Sequence, residues 1–197
     1  LKKGVLLKEI IFFENEEKDI GPVEDPVYQL SKDSIDDEGQ VLIFVNSRRA
    51  AESTSEKLAK RFSIVNNEGG FSDTTSGKKL EKLFRHGIGF HHAGLLSEDR
   101  KKIEDFFINN SIKVIVATPT LAAGVNLPAR TVIVRDLTRF DEGELNYISV
   151  MEYKQMAGRA GRPKYDKEGT AIMVAASESE KEFLIEKYVN GTVEPVT

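Results

Sequence analysis

Two arginines in the C-terminal third of the chain are the residues best suited to chemistry. Arg159 and Arg162 each follow a glycine in the run QMAGRAGR, which covers residues 155–162. Glycine leaves room for a large anion close to the backbone, and a guanidinium stays protonated and pairs with two phosphate oxygens at once. The pattern predicts positive charge delivered to a phosphoryl group in its transition state, where an arginine finger raises rates by about 10³–10⁵. A helix end with two solvated arginines is the alternative interpretation.

A second motif, ATPTLAAGVNLP over residues 117–128, follows a short apolar run. Thr118 is suited to cap a helix whose first position is Pro119, where the missing N–H of proline costs nothing. The free N–H groups of that helix start and the Thr118 hydroxyl would together bind an anion such as a nucleic-acid backbone phosphate. Gly124 and Asn126 follow, and we expect them near a nucleotide. An ordinary capped helix after a strand is the alternative.

Basic residues mark a third strand-to-helix junction, FVNSRR at residues 44–49. Arg48 and Arg49 would lie in the first helical turn, where a positive charge opposes the helix dipole. A phosphate partner would explain their position, and two solvated arginines are the alternative.

Two adjacent histidines lie in a fourth motif, FHHAGL at residues 90–95. His91 and His92 point in different directions on an extended segment, and no third ligand is nearby in the sequence. We therefore expect no metal there. The pattern predicts either a contact with a backbone phosphate or a buried histidine whose hydrogen bonds are satisfied.

The nucleotide cradle that such arginines would serve does not occur in the sequence. Residues 76–79 (SGKK) resemble the end of a P-loop, but the first glycine is at the wrong distance and Lys79 stands where Ser or Thr is needed. An acidic metal-holding motif of the Asp-Glu-x-His type does not occur either. The sequence therefore predicts that the cradle lies on another domain.

The elements that must position these motifs alternate between strands and helices. Short β-branched runs at residues 41–45, 113–117, 131–134 and 170–174 predict parallel strands covered on both faces. Helical patterns separate them, with Ser97 as an expected N-cap and a final helix from Ser177 to Val189. Strand–helix–strand alternation predicts an α/β fold with a mainly parallel sheet.

The composition excludes several classes of protein. The 197 residues are 40% hydrophobic, which is enough for a core, but no apolar run approaches the ~20 residues of a membrane span. Because the chain has no cysteine, disulfide scaffolds, thiolate metal sites and cysteine nucleophiles are excluded. With 28 basic and 32 acidic residues the net charge is −4, so any contact with nucleic acid must be local. No signal peptide opens the chain, and without an initiator methionine we expect it to be part of a longer protein.

The four motifs, in this order and at these spacings, resemble those of the second, RecA-like motor domain of superfamily-two helicases. The FHHAGL and ATPTLAAGVNLPA forms are similar to the superkiller-like branch, and residues 151–166 most resemble the archaeal HelQ-type DNA-repair helicases. The resemblance covers residues 41–175 and is looser outside them. It implies a RecA-like (P-loop NTPase-like) α/β domain that pairs with a first motor domain, which carries the P-loop and the acidic Mg²⁺ motif, with ATP in the cleft between the two.

The resemblance also implies roles for individual residues. Arg162 would be the arginine finger on the γ-phosphate, Arg159 its neighbour, and Gln155 a polar group near the γ-phosphate or the attacking water. Gly124 and Asn126 would line the cleft. The residues that would face the backbone of the tracking strand are Ser47, Arg48, Arg49, His92 and Thr118.

In HelQ-type members a β-hairpin between the last two motifs splits the duplex, and residues 137–150 match that segment. Its expected turn is the sequence DEG at residues 141–143. Phe140 and Tyr147 would stack on the terminal base pair. A surface hairpin with core aromatics is the alternative.

Three segments are expected along the chain. Residues 1–40 would form a lead-in hairpin and a helix around Val27–Ile35, packed on the motor domain of residues 41–190, and residues 191–197 would be an exit linker. Residues 66–77, which are rich in Gly, Ser, Thr and Asn, predict a mobile loop.

The leading hypothesis is therefore the C-terminal motor domain of an ATP-dependent 3′-to-5′ DNA helicase, inactive by itself. Its expected cofactors are ATP and Mg²⁺, held mainly by the first motor domain. Its expected partners are DNA and further domains of the same protein, in a monomeric cytoplasmic protein without membrane contact. Two alternatives remain open, namely the same domain of a superkiller-like RNA helicase and a non-catalytic α/β interaction module.

Overall fold

The structure, a computed structural model, describes residues 6–13, 25–141, 143–163, 165–175 and 177–191. The strands in this part of the chain are β1 (Leu6–Phe13), β2 (Val41–Phe44), β3 (Ile88–His91), β4 (Val114–Ala117), β5 (Thr131–Val134), β6 (Thr138–Asp141), β7 (Glu144–Tyr147) and β8 (Glu168–Ala175). The α-helices are α1 (Pro26–Asp36), α2 (Arg48–Ala59), α3 (Thr75–Phe84), α4 (Ser97–Ile108), α5 (Thr120–Gly124), α6 (Val150–Ala157) and α7 (Glu178–Leu184).

Six strands form one sheet in the order β1-β8-β5-β2-β4-β3, and every neighbouring pair is parallel. The strands β2, β4 and β5 are buried along their whole length, because helices cover both faces of a parallel sheet. The parallel α/β fold that the β-branched runs predicted is confirmed, as is the antiparallel hairpin, formed by β6 and β7.

The register aligns the ends of the central strands. Val41 pairs with both Val114 and Thr131, and Val114 also pairs with Ile88, so these four strands begin together. They also end together, at Phe44, His91, Ala117 and Val134. We call the side where these strands end the carboxyl edge and the opposite side the amino edge. The predicted functional motifs lie at these two edges.

Most helix starts carry the caps that the sequence favours. The Ser47 hydroxyl accepts the Ala50 N–H at the start of α2, and α6 opens with a capping box between Ser149 and Glu152. The Ser177 hydroxyl likewise accepts the Glu180 N–H. Each bond satisfies an N–H group that the first helical turn leaves free.

Three local predictions differ from the structure by a turn or less. Helix α4 has Leu96 rather than Ser97 as its N-cap, without a side-chain cap. Helix α5 begins after Pro119, and the Thr118 hydroxyl bonds Thr120 Oγ1 at 2.9 Å instead of capping the helix. The predicted final helix is α7 continued by a π-helical turn over Ile185–Val189.

The segment 66–77 is tied down, in contrast to the mobile loop that its composition predicted. The Asn66 side chain donates to the Phe84 and Ser111 carbonyls. The Glu81 carboxylate accepts the N–H groups of Gly69 and Phe71. The buried Asp99 carboxylate accepts the backbone N–H and the hydroxyl of Ser72. Residues 75–77 already belong to α3.

The N-terminal segment is described in part. Strand β1 lies at the edge of the main sheet, parallel to β8, while the second half of the expected lead-in hairpin lies outside the described residues, as does most of the expected exit linker. Helix α1, capped by Asp25, coincides with the predicted helix around Val27–Ile35. The domain boundaries themselves stay a prediction. No helix in the described ranges is long and apolar enough to cross a membrane.

Candidate functional site

The carboxyl edge brings together three of the predicted motifs. Residues 46–49 follow β2, the His92 turn follows β3 and Thr118 follows β4, and these strands are neighbours in the order β2-β4-β3. Backbone bonds join the strand ends, from Val45 N–H to the Ala117 carbonyl and from Thr118 N–H to the His91 carbonyl. Arg48 and Arg49 are both exposed. The edge therefore presents positive charge to solvent.

His92 is enclosed beneath this surface. Its ring stacks on Phe90 with centroids 5.5 Å apart, and it is 3% exposed. The Gly94 N–H donates to Nδ1, so Nε2 carries the proton and faces the Glu52 carboxylate at 3.4 Å. Burial lowers the pKa of His92 despite the nearby Glu52. The accessible surface at this turn is made by Ala93 and Gly94 instead.

His91 is also buried, at 4% exposure, and its Nε2 lies 3.1 Å from Glu104 Oε1. Burial lowers its pKa. Its Nδ1 has no hydrogen-bond partner among the residues that the structure describes. Within the described ranges, no group of three or more His, Asp or Glu side chains is placed to hold a metal ion.

Sequence reasoning missed one cationic residue at the carboxyl edge. A cavity of about 340 Å³ lies between the starts of α4 and α5, and Arg100 and Thr120 are among the residues that line it. The half-buried Arg100 guanidinium makes no hydrogen bond or ion pair with another described residue. Only the packing of α4 against β3 shows that Arg100 faces the same edge as Thr118 and His91.

Arg159 lies with the residues predicted to line a nucleotide cleft. Its Nη1 donates to Asn126 Oδ1 at 3.1 Å, and its Nη2 donates to the Ala122 carbonyl. Burial lowers its pKa, but both partners are neutral, so its positive charge is not compensated by them. Gln155, which precedes it by one turn, is exposed, and Gly124 faces open space.

Arg162 lies at the amino edge in a different environment. Its Nε and Nη2 donate to the two carboxylate oxygens of Asp166, each at 2.9 Å. Nη1 lies 3.4 Å from Gln40 Oε1 and Nη2 lies 3.3 Å from the Glu38 carbonyl. The Arg162 side chain is 14% exposed and that of Asp166 is 2% exposed. Although burial alone would raise the pKa of Asp166, the side chain and backbone N–H of Arg162 lower it.

A cavity of about 900 Å³ opens in front of Arg162 at the amino edge. Lys113 lies on its wall, and burial together with the charge of Arg162 lowers the pKa of Lys113. Leu127 and Pro128 also line the cavity. These two residues directly follow Asn126, which binds Arg159. The loop of residues 126–128 therefore connects the Arg159 side chain with the cavity in front of Arg162.

Gly161 of the arginine motif is required by the conformation and packing of the backbone. Gly161 has a φ of +89°, which a side chain would strain. A Cβ atom on Gly169 would lie 2.3 Å from the Gly161 nitrogen. The Gly161 N–H donates to the Ala129 carbonyl, and the Ala129 N–H donates to the Arg159 carbonyl. The prediction that both glycines admit an anion missed this packing for Gly161.

The hairpin of β6 and β7 projects beyond the main sheet. Phe140 is 76% exposed and Leu145 is 64% exposed. Tyr147 instead packs its ring on Phe183, with centroids 4.7 Å apart, and donates its hydroxyl to Glu180. Arg139 pairs with Glu152 of α6 at 2.7 Å. The base of the hairpin is thus tied to the body, and Phe140 is free to contact a ligand.

A parallel α/β sheet with strand-end motifs at one edge and a paired-arginine loop at the other defines a RecA-like domain of the helicase type. The chain belongs to the family described as helicase conserved C-terminal domain, whose match covers residues 25–164. Curated relatives named ATP-dependent DNA helicase Hel308 align with the whole chain. They come from Thermoplasma volcanium (43% identical), Methanocella arvoryzae (41%) and Thermoplasma acidophilum (42%). The chain covers 29% of the length of each of them.

Proposed function

We propose that this chain is the second motor domain of an archaeal ATP-dependent DNA helicase of the Hel308 (HelQ-like) type that moves 3′ to 5′. The family match and the relatives' names support the proposal. The observation that carries it is the pair of motif arginines joined by one loop. Arg159 contacts Asn126, and Leu127 and Pro128 continue from there to the cavity of Arg162. In this proposal the surface is half of a composite triphosphate site, and the P-loop, which does not occur in this sequence, would be on the first motor domain.

The side chains at this surface fit the phosphate end of ATP. Two guanidiniums and the exposed Gln155 supply donors, and Asn126 can both donate and accept. The nearby carboxylate of Asp166 is occupied by Arg162, so we expect Mg²⁺ to be held by the first motor domain. Bound ATP would supply the phosphoryl group, and the residues of this chain would stabilise the negative charge that develops on it.

The carboxyl edge is suited to the backbone of a tracking strand. Arg48 and Arg49 are exposed there, and Arg100 adds a guanidinium that forms no ion pair with the residues that the structure describes. We propose that the Thr118 and Ser47 region and the Ala93–Gly94 turn above His92 follow the phosphates. Because phosphate contacts carry no information on base sequence, this surface would bind strands of any sequence.

ATP hydrolysis by the full-length protein tests the two arginines. Arg162→Ala and Arg159→Ala should each lower kcat by about 10³-fold or more, while binding of a non-hydrolysable ATP analogue changes little. The exposed Arg85→Ala is the matched control and should hydrolyse ATP normally. The present chain by itself should hydrolyse no ATP. Substantial hydrolysis by it, or normal kcat in both arginine variants, would contradict the proposal.

Unwinding assays test the substrate and the direction. Matched DNA and RNA duplexes with 3′ or 5′ single-stranded tails should show unwinding of the 3′-tailed DNA duplex. Preferred unwinding of RNA would instead support the superkiller-like RNA helicase, because discrimination between the sugars requires a contact with the 2′-hydroxyl.

A further inference from the structure

The two edges of the Arg162 guanidinium differ in what they bind. The side edge, made of Nε and Nη2, is clamped by both oxygens of Asp166 at 2.9 Å. The end, made of Nη1 and Nη2, has contacts of 3.4 and 3.3 Å to Gln40 and the Glu38 carbonyl. Those distances are longer than usual for N–H···O bonds. One N–H of Nη1 has no partner among the described residues, so this end can bind one phosphate oxygen directly and a second one in exchange for one of the two long contacts.

Asp166 is itself held in place. Its Oδ2 also accepts the backbone N–H of Arg162 at 2.8 Å, and the Arg162 carbonyl accepts the Asp166 N–H. The loop between them therefore closes on itself, and the carboxylate cannot follow the arginine into another position. Gln40 is fixed as well, since its Nε2 donates to the Phe107 and Ile112 carbonyls at 2.7 and 2.8 Å.

We propose that Asp166 is the positioning residue for Arg162: it holds the side edge of the guanidinium so that the other end is presented to the γ-phosphate. The inference rests on the proposed function. A free arginine would lose its rotamer freedom at the moment of reaction, whereas a clamped one has lost it on folding. A bidentate carboxylate also fixes the plane of the guanidinium, which a single bond does not.

Steady-state ATP hydrolysis by the full-length protein tests this role. Asp166→Asn keeps the size of the side chain but replaces one acceptor oxygen with a donor. We expect it to lower kcat by about 10- to 100-fold, the range found when a metal ligand loses the partner that orients it, with the affinity for AMP-PNP within about threefold of the original. Asp166→Glu should restore part of kcat. Asp105→Asn, which changes an exposed carboxylate paired with Lys101, is the matched control and should leave kcat unchanged.

Non-additivity distinguishes positioning from a merely structural role. The double variant Arg162→Ala, Asp166→Asn should have the kcat of Arg162→Ala alone, since Asp166 acts through the arginine. Rates are normalised to the stoichiometry of AMP-PNP binding, so that unfolded protein does not count. If Asp166→Asn does not fold, Asp166→Glu decides, because displacing the carboxylate by one methylene should still lower kcat several-fold.

Failure of the inference and failure of the proposed function give different results. A normal kcat in Asp166→Asn together with a low kcat in Arg162→Ala overturns the positioning role of Asp166. It still supports the proposed role of Arg162 as the arginine finger. An additive double variant also overturns it. A normal kcat in Arg162→Ala contradicts the proposed role of that arginine, and the positioning role with it.

Discussion

At the scale of single residues, the two motif arginines share a charge but not an environment. Arg159 is bound by neutral acceptors, while Arg162 is bound by a carboxylate that is almost fully buried. Breaking such a pair from one side leaves an uncompensated buried charge, which costs about 3–5 kcal/mol. We therefore expect Arg162 to be the more rigid of the two and Arg159 to be the more easily displaced.

Gly169 supports the arginine loop through its lack of a side chain. A methyl group there would lie within 2.6 Å of backbone atoms of Ala160 and Gly161, and backbone cannot move aside as a flexible side chain does. Gly169→Ala should lower the free energy of unfolding of the chain by about 1–3 kcal/mol, measured by urea denaturation. Gly124→Ala, where a methyl group meets open space, should cost little. Equal stabilities of the two variants would contradict this reading of the loop.

The two buried histidines predict how stability depends on pH. Burial lowers the pKa of both His91 and His92, so below about pH 6.5 the unfolded chain binds protons that the folded chain does not. The free energy of unfolding should therefore fall as pH drops from 7 toward 5. The slope should reach at most about 1.4 kcal/mol per pH unit for each histidine.

Urea denaturation at several pH values checks that slope. His92→Gln should flatten the dependence, because it removes one of the two buried groups whose pKa is lowered. A pH-independent stability between 5 and 7 in the original chain would show that these imidazoles gain protons as readily in the fold as outside it.

At the scale of elements, the hairpin of β6 and β7 has a tied base and an open side. Tyr147 and Arg139 connect it to α7 and α6, while Phe140 is exposed. Of the two aromatics predicted to meet the duplex, only Tyr147 packs its ring against another aromatic side chain of the described residues, and Phe140 is 76% exposed.

Phe140→Ala in the full-length protein should therefore uncouple unwinding from ATP hydrolysis. Loss of one base-stacking contact, about 1–3 kcal/mol, should slow unwinding of a 3′-tailed duplex by roughly tenfold or more. ATP hydrolysis stimulated by single-stranded DNA should stay within about twofold. Val65→Ala, another exposed apolar residue, serves as the control. A parallel fall of both activities would indicate a damaged fold instead of a lost stacking contact.

At the scale of the whole molecule, positive charge is placed locally on a chain of net charge −4. The carboxyl edge carries Arg48, Arg49 and Arg100, although acidic residues outnumber basic ones in the chain as a whole. Such a distribution favours weak binding of a nucleic-acid strand by this domain alone. The affinity would increase when a second domain adds its own contacts.

Binding of a fluorescent single-stranded oligonucleotide to the chain should accordingly be weak and should fall as salt rises. For single strands the slope of log K against log[salt] is about −0.7 per neutralised phosphate. Arg100→Ala should make the slope shallower by roughly that amount, because one phosphate contact is lost. Arg85→Ala, at the amino end of β3, should not change it. An identical slope for the original chain, Arg100→Ala and Arg85→Ala would show that Arg100 does not contact the strand.

Several features of this chain follow from short stretches of sequence. The four strands with β-branched runs, the hairpin, and the starts of α2 and α6 all depend on side-chain periodicity, turns and caps that act within a few residues. The predicted N-caps of α4 and α5 are each wrong by one residue.

Other features depend on partners that are far apart in the chain. Arg162 meets Gln40 across 122 residues, His92 meets Glu52 across 40, and the Asp99 carboxylate orders Ser72 across 27. Composition marks residues 66–77 as a flexible loop, and motif spacing marks Arg162 as a free cation. Burial and hydrogen bonding arise when the sheet brings distant segments together, and no local pattern encodes which donor will meet which acceptor.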